Sequence, residues 1–460
     1  MAITSRERLV LSVSLDTSGR QAEVCCLLKR NEERVDEWRF SAERMGLPEA
    51  LDRRKALYQG YEFEIPAEVL DAMKGWMDPH RPLWLRLERP SGYLRLVPWE
   101  QLLGPRLGVP ILRLPDFETE PPRESPRSLD ILLCASAPEA KQSFPLVDTL
   151  DRITGRILQI LAAVPRRTTL HVFVDAAAHA PLKARWEGTG KLGAAIQLYA
   201  PESAAPYGES DPASRIKDSM GRIESPWLLW MRDSLRGSRI DVAHFVCHGY
   251  LSEDRGALAF AESPLRNEDE RMARFVWVAE LSLFLTQIGA WSAVFSSPEN
   301  NYSEMGLRLL ADNLAQSRPG PVLHHELRLD PVCVALARAY QFLYGPSGAP
   351  PPASPSLLLY CQPSLLEAPV MRAATRSFAV GPEETPAQHS LRTLYETDEN
   401  VPAWVAAAER SIEQVNLRLQ KMAAAPGQSR GKAELDPVQE TLRQIQEIVA
   451  RAAVKKGEEP

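Results

Sequence analysis

Arg239–Tyr250 reads R-I-D-V-A-H-F-V-C-H-G-Y, and this stretch decides the fold that we predict. Ile240–Cys247 is a short run of mostly apolar, partly β-branched residues, and His248 and Gly249 close it. A run of this length that ends at a glycine is typical of a strand buried on both faces in a parallel sheet. In such sheets, binding and catalytic groups lie at the carboxyl ends of the strands. His248 is therefore the first candidate site residue, with a simple capping role as the alternative.

Beyond residue 127, strand-like runs alternate with segments of helical spacing. The predicted strands are Asp130–Ala135, Thr168–Val174, Ala195–Tyr199, Ile240–Cys247, Ala293–Ser297, Pro321–His325 and Leu357–Tyr360. The predicted helices are Leu150–Val164, Pro226–Leu235, Val278–Ile288, Met305–Ala315 and Val332–Leu343. This alternation predicts βαβ units and a mostly parallel sheet covered by helices on both faces.

The residues before this series predict a smaller α+β domain. Its predicted elements are a hairpin of Leu9–Leu15 and Ala22–Leu28, a helix at Pro66–Met77, and strands at Leu83–Glu88 and Tyr93–Val97. The sequence V-P-W-E-Q-L-L-G-P that follows (Val97–Pro105) predicts a turn and a short apolar element that belongs to the core. Asp116–Arg127 is acidic and proline-rich, which is typical of a linker.

The end of the chain changes character. We divide the sequence into an α+β domain at 1–118, an α/β domain at 127–366, a linker at 367–400 and a helical segment at 401–456. Two a/d stripes in the last segment predict a C-terminal helical hairpin. This hairpin either docks on the α/β domain or forms an oligomerisation or partner-binding stalk.

Composition and charge exclude several function classes. The 460 residues are too many for one core, and 25% charged with 44% hydrophobic residues is typical of a soluble globular protein. A net charge of -6 argues against a nucleic-acid surface. The six cysteines contain no C-x-x-C pair, which favours a reducing compartment. Because no signal core or membrane-length apolar run is present, we expect a cytoplasmic protein that does not contact a membrane.

Several of these stretches together resemble the CHAT domain, a branch of the caspase-fold peptidases related to separase. V-A-H-F-V-C-H-G (Val242–Gly249) is similar to the histidine strand of that family, and A-V-F-S-S-P-E (Ala293–Glu299) falls where the family has its nucleophile strand. Val97–Pro105 is similar to the Pro-Trp-Glu motif upstream of many CHAT cores. Pro321–Tyr344 resembles a family segment with an aspartate-containing loop, here around Asp330.

The resemblance implies an α/β fold, a caspase-like three-layer sandwich with a mostly parallel sheet. The α+β domain would precede it and the helical hairpin would follow it. Residue by residue, the family's base corresponds to His248, and an oxyanion-type donor corresponds to the N–H of Gly249. The nucleophile position corresponds to Pro298, which has no nucleophilic atom.

Other nucleophiles are possible in the same region of the sequence. A shift of one residue would place Ser297 at the nucleophile position, with Ser296 a poorer candidate and Cys134 a further one. Cys247 adjoins His248 on a strand, so the two side chains point to opposite faces.

Cofactor and metal sites are not predicted. The adjacent residues His324 and His325 point apart on a strand, so they do not suggest a zinc site. No glycine-rich phosphate loop follows any predicted strand. We therefore expect neither a cofactor nor a metal.

Three functions are open at this point. The first is a CHAT-domain pseudopeptidase that acts as a scaffold, adaptor or partner in a bacterial defence or signalling system. The second is an active endopeptidase that uses Ser297 or Cys134 with His248 as base. The third is an α/β binding module without peptidase ancestry. In the first and third, the expected partners are proteins, with the C-terminal helices as a candidate surface for a partner or for oligomerisation.

Overall fold

A computed structural model of the chain describes residues 8–18, 21–47, 63–88, 91–118, 128–138, 145–164, 166–193, 195–207, 221–236, 238–252, 255–267, 273–298, 301–345 and 349–366. The predicted linker at 367–400 and the predicted helical segment at 401–456 lie outside the described residues. The strands all belong to one compact unit that spans Met1–Leu285 and Ala290–Met371.

The described residues form strands and helices in the following order. The strands are β1 Leu9–Asp16, β2 Glu23–Arg30, β3 Glu33–Ser41, β4 Leu83–Leu87, β5 Ile111–Arg113, β6 Ser128–Ser136, β7 Arg167–Val174, β8 Ile196–Leu198, β9 Val242–Ser252, β10 Arg255–Ala261, β11 Ala273–Trp277, β12 Ser292–Ser297, β13 Val322–Glu326 and β14 Leu357–Tyr360. The helices are α1 Ala67–Lys74, α2 Trp99–Leu107, α3 Leu146–Leu161, α4 Ala176–Gly188, α5 Pro226–Ser234, α6 Val278–Gln287, α7 Asn301–Ser317 and α8 Val334–Tyr344.

One sheet runs through the described residues in the order β3-β2-β1-β4-β5-β14-β13-β12-β9-β6-β7-β8, and β10 pairs with β11 and with the C-terminal part of β9, from His248 to Ser252. Neighbours pair in parallel except along β1-β2-β3, between β13 and β14, and along β9-β10-β11. The prediction of an α/β fold with a large, mostly parallel sheet is therefore confirmed. The strand of the opening stretch, β9, lies between β6 and β12 and is parallel to both.

Helices cover both faces of the second part of the sheet. On one face, α3, α4 and α8 pack on β6, β7 and β9 through apolar residues such as Ile153, Leu182 and Leu336. On the other face, Phe245 of β9 lies against Phe284 of α6, with ring centroids 6.4 Å apart. Trp227 of α5 stacks on Phe260 of β10. Side chains alternate between the two faces along a strand. β9 therefore has buried side chains on both faces of the sheet, as its unbroken apolar run predicts.

The first part of the chain continues the same sheet. A second apolar core lies between β1, β2 and the helices α1 and α2, and includes Leu11, Val24, Leu70 and Trp99. The last described strand, β14, pairs with β13 on one side and with β5 on the other, where Tyr360 lies opposite Arg113. The two segments that we assigned to separate domains therefore share one hydrogen-bonded sheet.

One predicted strand is wrong. Residues Gly92–Arg95, at the start of the strand expected over Tyr93–Val97, form a 3-10 turn. The N–H of Leu94 donates to the carbonyl of Ser91 at 2.9 Å, and the indole Nε1 of Trp99 donates to the carbonyl of Leu94 at 2.8 Å. These local bonds occupy backbone groups that a strand would need for its neighbours.

Candidate functional site

His248 contacts a serine that the sequence did not point to. Its Nδ1 lies 2.8 Å from the Oγ of Ser303, which belongs to the first turn of α7. Ser303 is 1% exposed, and His248 is half-buried. Burial lowers the pKa of His248 below its ordinary value, so the ring is neutral at pH 7 and can accept a proton.

Ser303 was missed because we expected the helix to start at Met305. α7 starts four residues earlier, at Asn301, which brings the Ser303 hydroxyl over the end of β9. The signal was present in the sequence, since the asparagines that follow shortly after Pro298 are residues typical of a helix start.

Pro298 is the residue that the resemblance aligns with the family's nucleophile position. Pro298 directly follows β12 and is buried. The neighbouring Ser297 is also fully buried, and its hydroxyl donates to the backbone carbonyl of His325 at 3.3 Å. Ser297 therefore contacts the backbone of β13, and the structure does not bring it into hydrogen-bond contact with His248.

The candidate cysteines lie in the interior of the sheet. Cys134 of β6 is fully buried opposite Phe245 of β9, and Cys247 is fully buried as well. Burial raises the pKa of both thiols well above the ordinary value. A cysteine attacks as its thiolate, so neither is an active nucleophile at neutral pH in this conformation.

Gly249 has a packing role in this structure. A Cβ at this position would collide with the carbonyl oxygen of Ser303 and would lie 2.7 Å from the backbone N of Leu307. A Cβ at Gly306, on the facing side of α7, would likewise lie 2.7 Å from the backbone N of Tyr250. The two glycines let the strand and the helix approach directly, which places Ser303 beside His248. The oxyanion-type role that we predicted for the N–H of Gly249 stays a prediction beside this packing role.

A chain of hydrogen bonds runs through the core next to the site; we call it the buried chain. Tyr340 lies 3.0 Å from Nδ1 of His244, and Nε2 of His244 lies 2.9 Å from the Oγ of Ser296. Ser296 Oγ lies 3.1 Å from Nδ1 of His325, and Nε2 of His325 lies 3.1 Å from Oδ2 of Asp330. His324 and His325 therefore do point apart, because His325 faces this chain and His324 does not.

The protons of the buried chain can all point the same way. In one consistent arrangement Tyr340 donates to His244, His244 to Ser296, Ser296 to His325, and His325 to Asp330, so that each ring uses one nitrogen as acceptor and the other as donor. Burial lowers the pKa of His244 to about 3, which agrees with a neutral ring.

The end of the chain at Asp330 is ionised. Burial alone would raise the pKa of the Asp330 carboxyl, but the hydrogen bonds from His325 and from the N–H groups of Leu336 and Val334 hold it below its ordinary value. Ser296, His325 and Asp330 have the connectivity of a hydrolytic triad. However, Ser296 is fully buried, so a substrate cannot reach it, and the chain stabilises the core.

A second buried polar group explains the Pro-Trp-Glu motif. Glu100 of α2 accepts from Arg113 Nε at 2.6 Å and from Arg308 Nη1 of α7 at 3.1 Å. Arg308 also bonds Glu326 at the end of β13, and Gln101 donates to Glu326 at 2.8 Å. These five residues form what we call the buried ion cluster. It connects the first part of the chain to the second through buried polar contacts. The Pro-Trp-Glu motif therefore has a structural role at the contact between the two parts.

Other features of the described residues bear on the site. Among them, no group of three or more histidine, cysteine, aspartate or glutamate side chains is placed to hold a metal ion. Within the same part of the chain, no helix has the length and apolar character needed to cross a bilayer.

Comparisons of the chain with protein-family models, with curated proteins and with solved structures found no match.

Proposed function

We propose that this protein is a CHAT-like pseudopeptidase that binds other proteins as a scaffold or adaptor in a bacterial defence or signalling system. The observation that carries the proposal is the residue after β12. The family's nucleophile position is Pro298, and its neighbour Ser297 is buried against the backbone of β13. In this proposal His248 keeps the place of the base, while a proline stands where the family has its nucleophile.

The arrangement of the strands supports the CHAT-like part of this proposal. A caspase-type site needs the histidine strand and the nucleophile strand to end at the same edge of the sheet. β9 and β12 are adjacent and parallel, with Phe245 opposite Phe295 and Val246 opposite Ser296. An α/β binding module without peptidase ancestry would not need this pairing.

Proteolysis measured with the full-length protein tests the proposal. The wild-type protein and the His248→Ala variant are incubated with a proteome extract from a bacterial host, and new protein N-termini are counted by mass spectrometry. We expect the two samples to be indistinguishable. His80→Ala, which changes an exposed histidine, is the matched control. New N-termini that appear with wild type and with His80→Ala but not with His248→Ala would overturn the proposal.

A second candidate function follows from the Ser303 contact. A serine hydroxyl 2.8 Å from a neutral imidazole has the geometry of a nucleophile and its base. An active hydrolase would then use Ser303, in place of the Ser297 or Cys134 that the sequence suggested. Labelling with a fluorophosphonate probe separates the two functions, because the hydrolase would be labelled at Ser303 and would lose the label in His248→Ala. We expect no labelling, since Ser303 is 1% exposed.

A further inference from the structure

Exposed apolar side chains are concentrated in one loop of this molecule. Five large apolar residues of the described chain are exposed by more than a third of their surface, and three of them lie within six positions. These are Leu329 at 38%, Val332 at 51% and Val334 at 39%. They lie in the connection between β13 and α8 and at the first residue of α8, and we call residues 327–334 the display loop. Single exposed apolar residues need no explanation, whereas several exposed apolar residues close together are typical of an interaction site.

Two arginines from α3 border the display loop. A guanidinium N–H of Arg152 donates to the carbonyl of Pro331, and Nε of Arg156 donates to the carbonyl of Val332 at 3.2 Å. Both side chains are half-buried, so their stems cover apolar surface and their charges lie at its rim. An apolar patch with a positive border is complementary to a partner with apolar and acidic side chains.

Buried residues and their hydrogen bonds fix the conformation of the display loop. Cys333 is fully buried and has a φ of 57°, a left-handed conformation that is costly for a residue with a Cβ. Asp330 holds this conformation, because its carboxylate accepts from the N–H groups of Val334 and Leu336 at 2.9 and 3.1 Å. Its carbonyl also accepts from the N–H of Cys333 at 3.0 Å.

Asp330 is itself held by the buried chain through His325. A loop that is ordered in advance loses little entropy on binding. Through Asp330, the buried chain therefore stabilises the conformation of the loop that carries the exposed apolar side chains.

We propose that the display loop, with Arg152 and Arg156, is a docking surface for a protein segment that carries apolar side chains flanked by aspartate or glutamate. This inference rests on the proposed function, since it names the kind of partner that the scaffold binds. The apolar side chains of the segment would cover Leu329, Val332 and Val334, and its carboxylates would face the two arginines.

A display library of random 16-residue segments, selected against the full-length protein, tests this inference although the partner is unidentified. We expect the selected sequences to combine leucine, isoleucine or phenylalanine with nearby aspartate and glutamate. A synthetic peptide with the consensus sequence should bind Val332→Glu at least tenfold more weakly than wild type. The double variant Arg152→Glu, Arg156→Glu should show a similar loss, which a lysine-flanked version of the peptide reverses.

Matched variants keep the test specific. Leu265→Glu introduces the same charge at an isolated exposed apolar residue, 40% exposed, and Arg34→Glu with Arg44→Glu reverses two exposed charges elsewhere. Both controls should bind the consensus peptide within twofold of wild type. Failure to enrich any sequence, enrichment of sequences without acidic residues, or equal losses in the controls would overturn the inference.

Self-association is a further outcome that would contradict it. If Val332→Glu changes a dimer into a monomer in analytical ultracentrifugation, a second copy of the chain covers the display loop and the segment proposal is wrong. The result is independent of the proteolysis experiment, because an active peptidase could still bind an acidic apolar segment. Proteolysis that depends on His248 would therefore disprove the proposed function and leave the docking surface intact.

Discussion

At the scale of single residues, Ser296 connects two histidines that lie on different strands. Its hydroxyl is within 2.9 Å of His244 and 3.1 Å of His325. We expect Ser296→Ala to lower the free energy of unfolding by about 2–6 kcal/mol, because two buried ring nitrogens lose their partner and each costs about 1–3 kcal/mol. Urea titrations followed by tryptophan fluorescence measure the loss.

The neighbouring residue provides the control. Ser297→Ala removes one hydroxyl bond of 3.3 Å to a carbonyl, and we expect a loss of about 0.5–1.5 kcal/mol. Both serines are fully buried and sit on the same strand, so the variants differ mainly in what the hydroxyl contacts. Equal losses in the two variants would show that Ser296 does not connect the two rings in solution.

Some single residues of the site could be read from the sequence, and others could not. His248 and Pro298 could be singled out because the pattern of apolar residues shows where a strand ends. The buried chain is not visible, since Tyr340 and His244 are 96 positions apart and meet only when helix and strand pack. Asp330 was noted only as part of a family-like segment, and nothing local to it indicates that it orders a loop.

At the scale of secondary-structure elements, the contact of β9 with α7 depends on glycines. Gly249→Ala would bring a methyl group against the backbone of Ser303 and Leu307, and backbone atoms cannot move aside as a side chain can. We expect the substitution to destabilise the protein by about 1–3 kcal/mol and to lower the melting temperature in differential scanning calorimetry.

Gly155 of α3 is the matched position for this prediction. A Cβ there meets nothing within 4 Å, so Gly155→Ala should instead stabilise the helix by about 0.5–1 kcal/mol. If Gly249→Ala leaves the melting temperature unchanged or raises it, the close approach of β9 and α7 is not present in solution.

The elements also show where sequence patterns succeed and fail. Strands buried on both faces, such as β6, β7 and β12, were predicted within a few residues because an apolar run has few alternatives. β3 was missed, since its sequence E-R-V-D-E-W-R-F-S is mostly charged and polar. It is the last strand in the order of the described sheet, at an edge where charges discourage wrong pairing. α4 was missed as well. It has no clear apolar stripe, and Pro181, which lies inside the helix, is a residue that usually indicates a helix end.

At the scale of the whole molecule, the buried ion cluster joins the two parts of the chain. Arg308 contacts both Glu100 and Glu326 and is 5% exposed. We expect Arg308→Ala to cost about 3–5 kcal/mol, because the buried carboxylate of Glu326 loses its main cationic partner and Glu100 keeps only Arg113. The free energy of unfolding from urea titrations measures this cost.

An exposed ion pair gives the comparison. Arg44 lies 2.6 Å from Glu68, with both side chains more than half exposed, and Arg44→Ala should cost at most about 1 kcal/mol. A small loss for Arg308→Ala, similar to that of Arg44→Ala, would mean that the buried ion cluster contributes little to holding the two parts of the chain together.

The position of β14 in the sheet determines when the sheet can be completed during synthesis of the chain. β14 is the last of the described strands, yet it lies between β5 and β13. Synthesis releases the N-terminal part first, so β5 has no partner on that side until Tyr360 has been translated. During that interval the nascent chain presents an open strand edge, which other chains can pair with. Closure of the sheet between β5 and β13 therefore follows the synthesis of nearly all the other described strands.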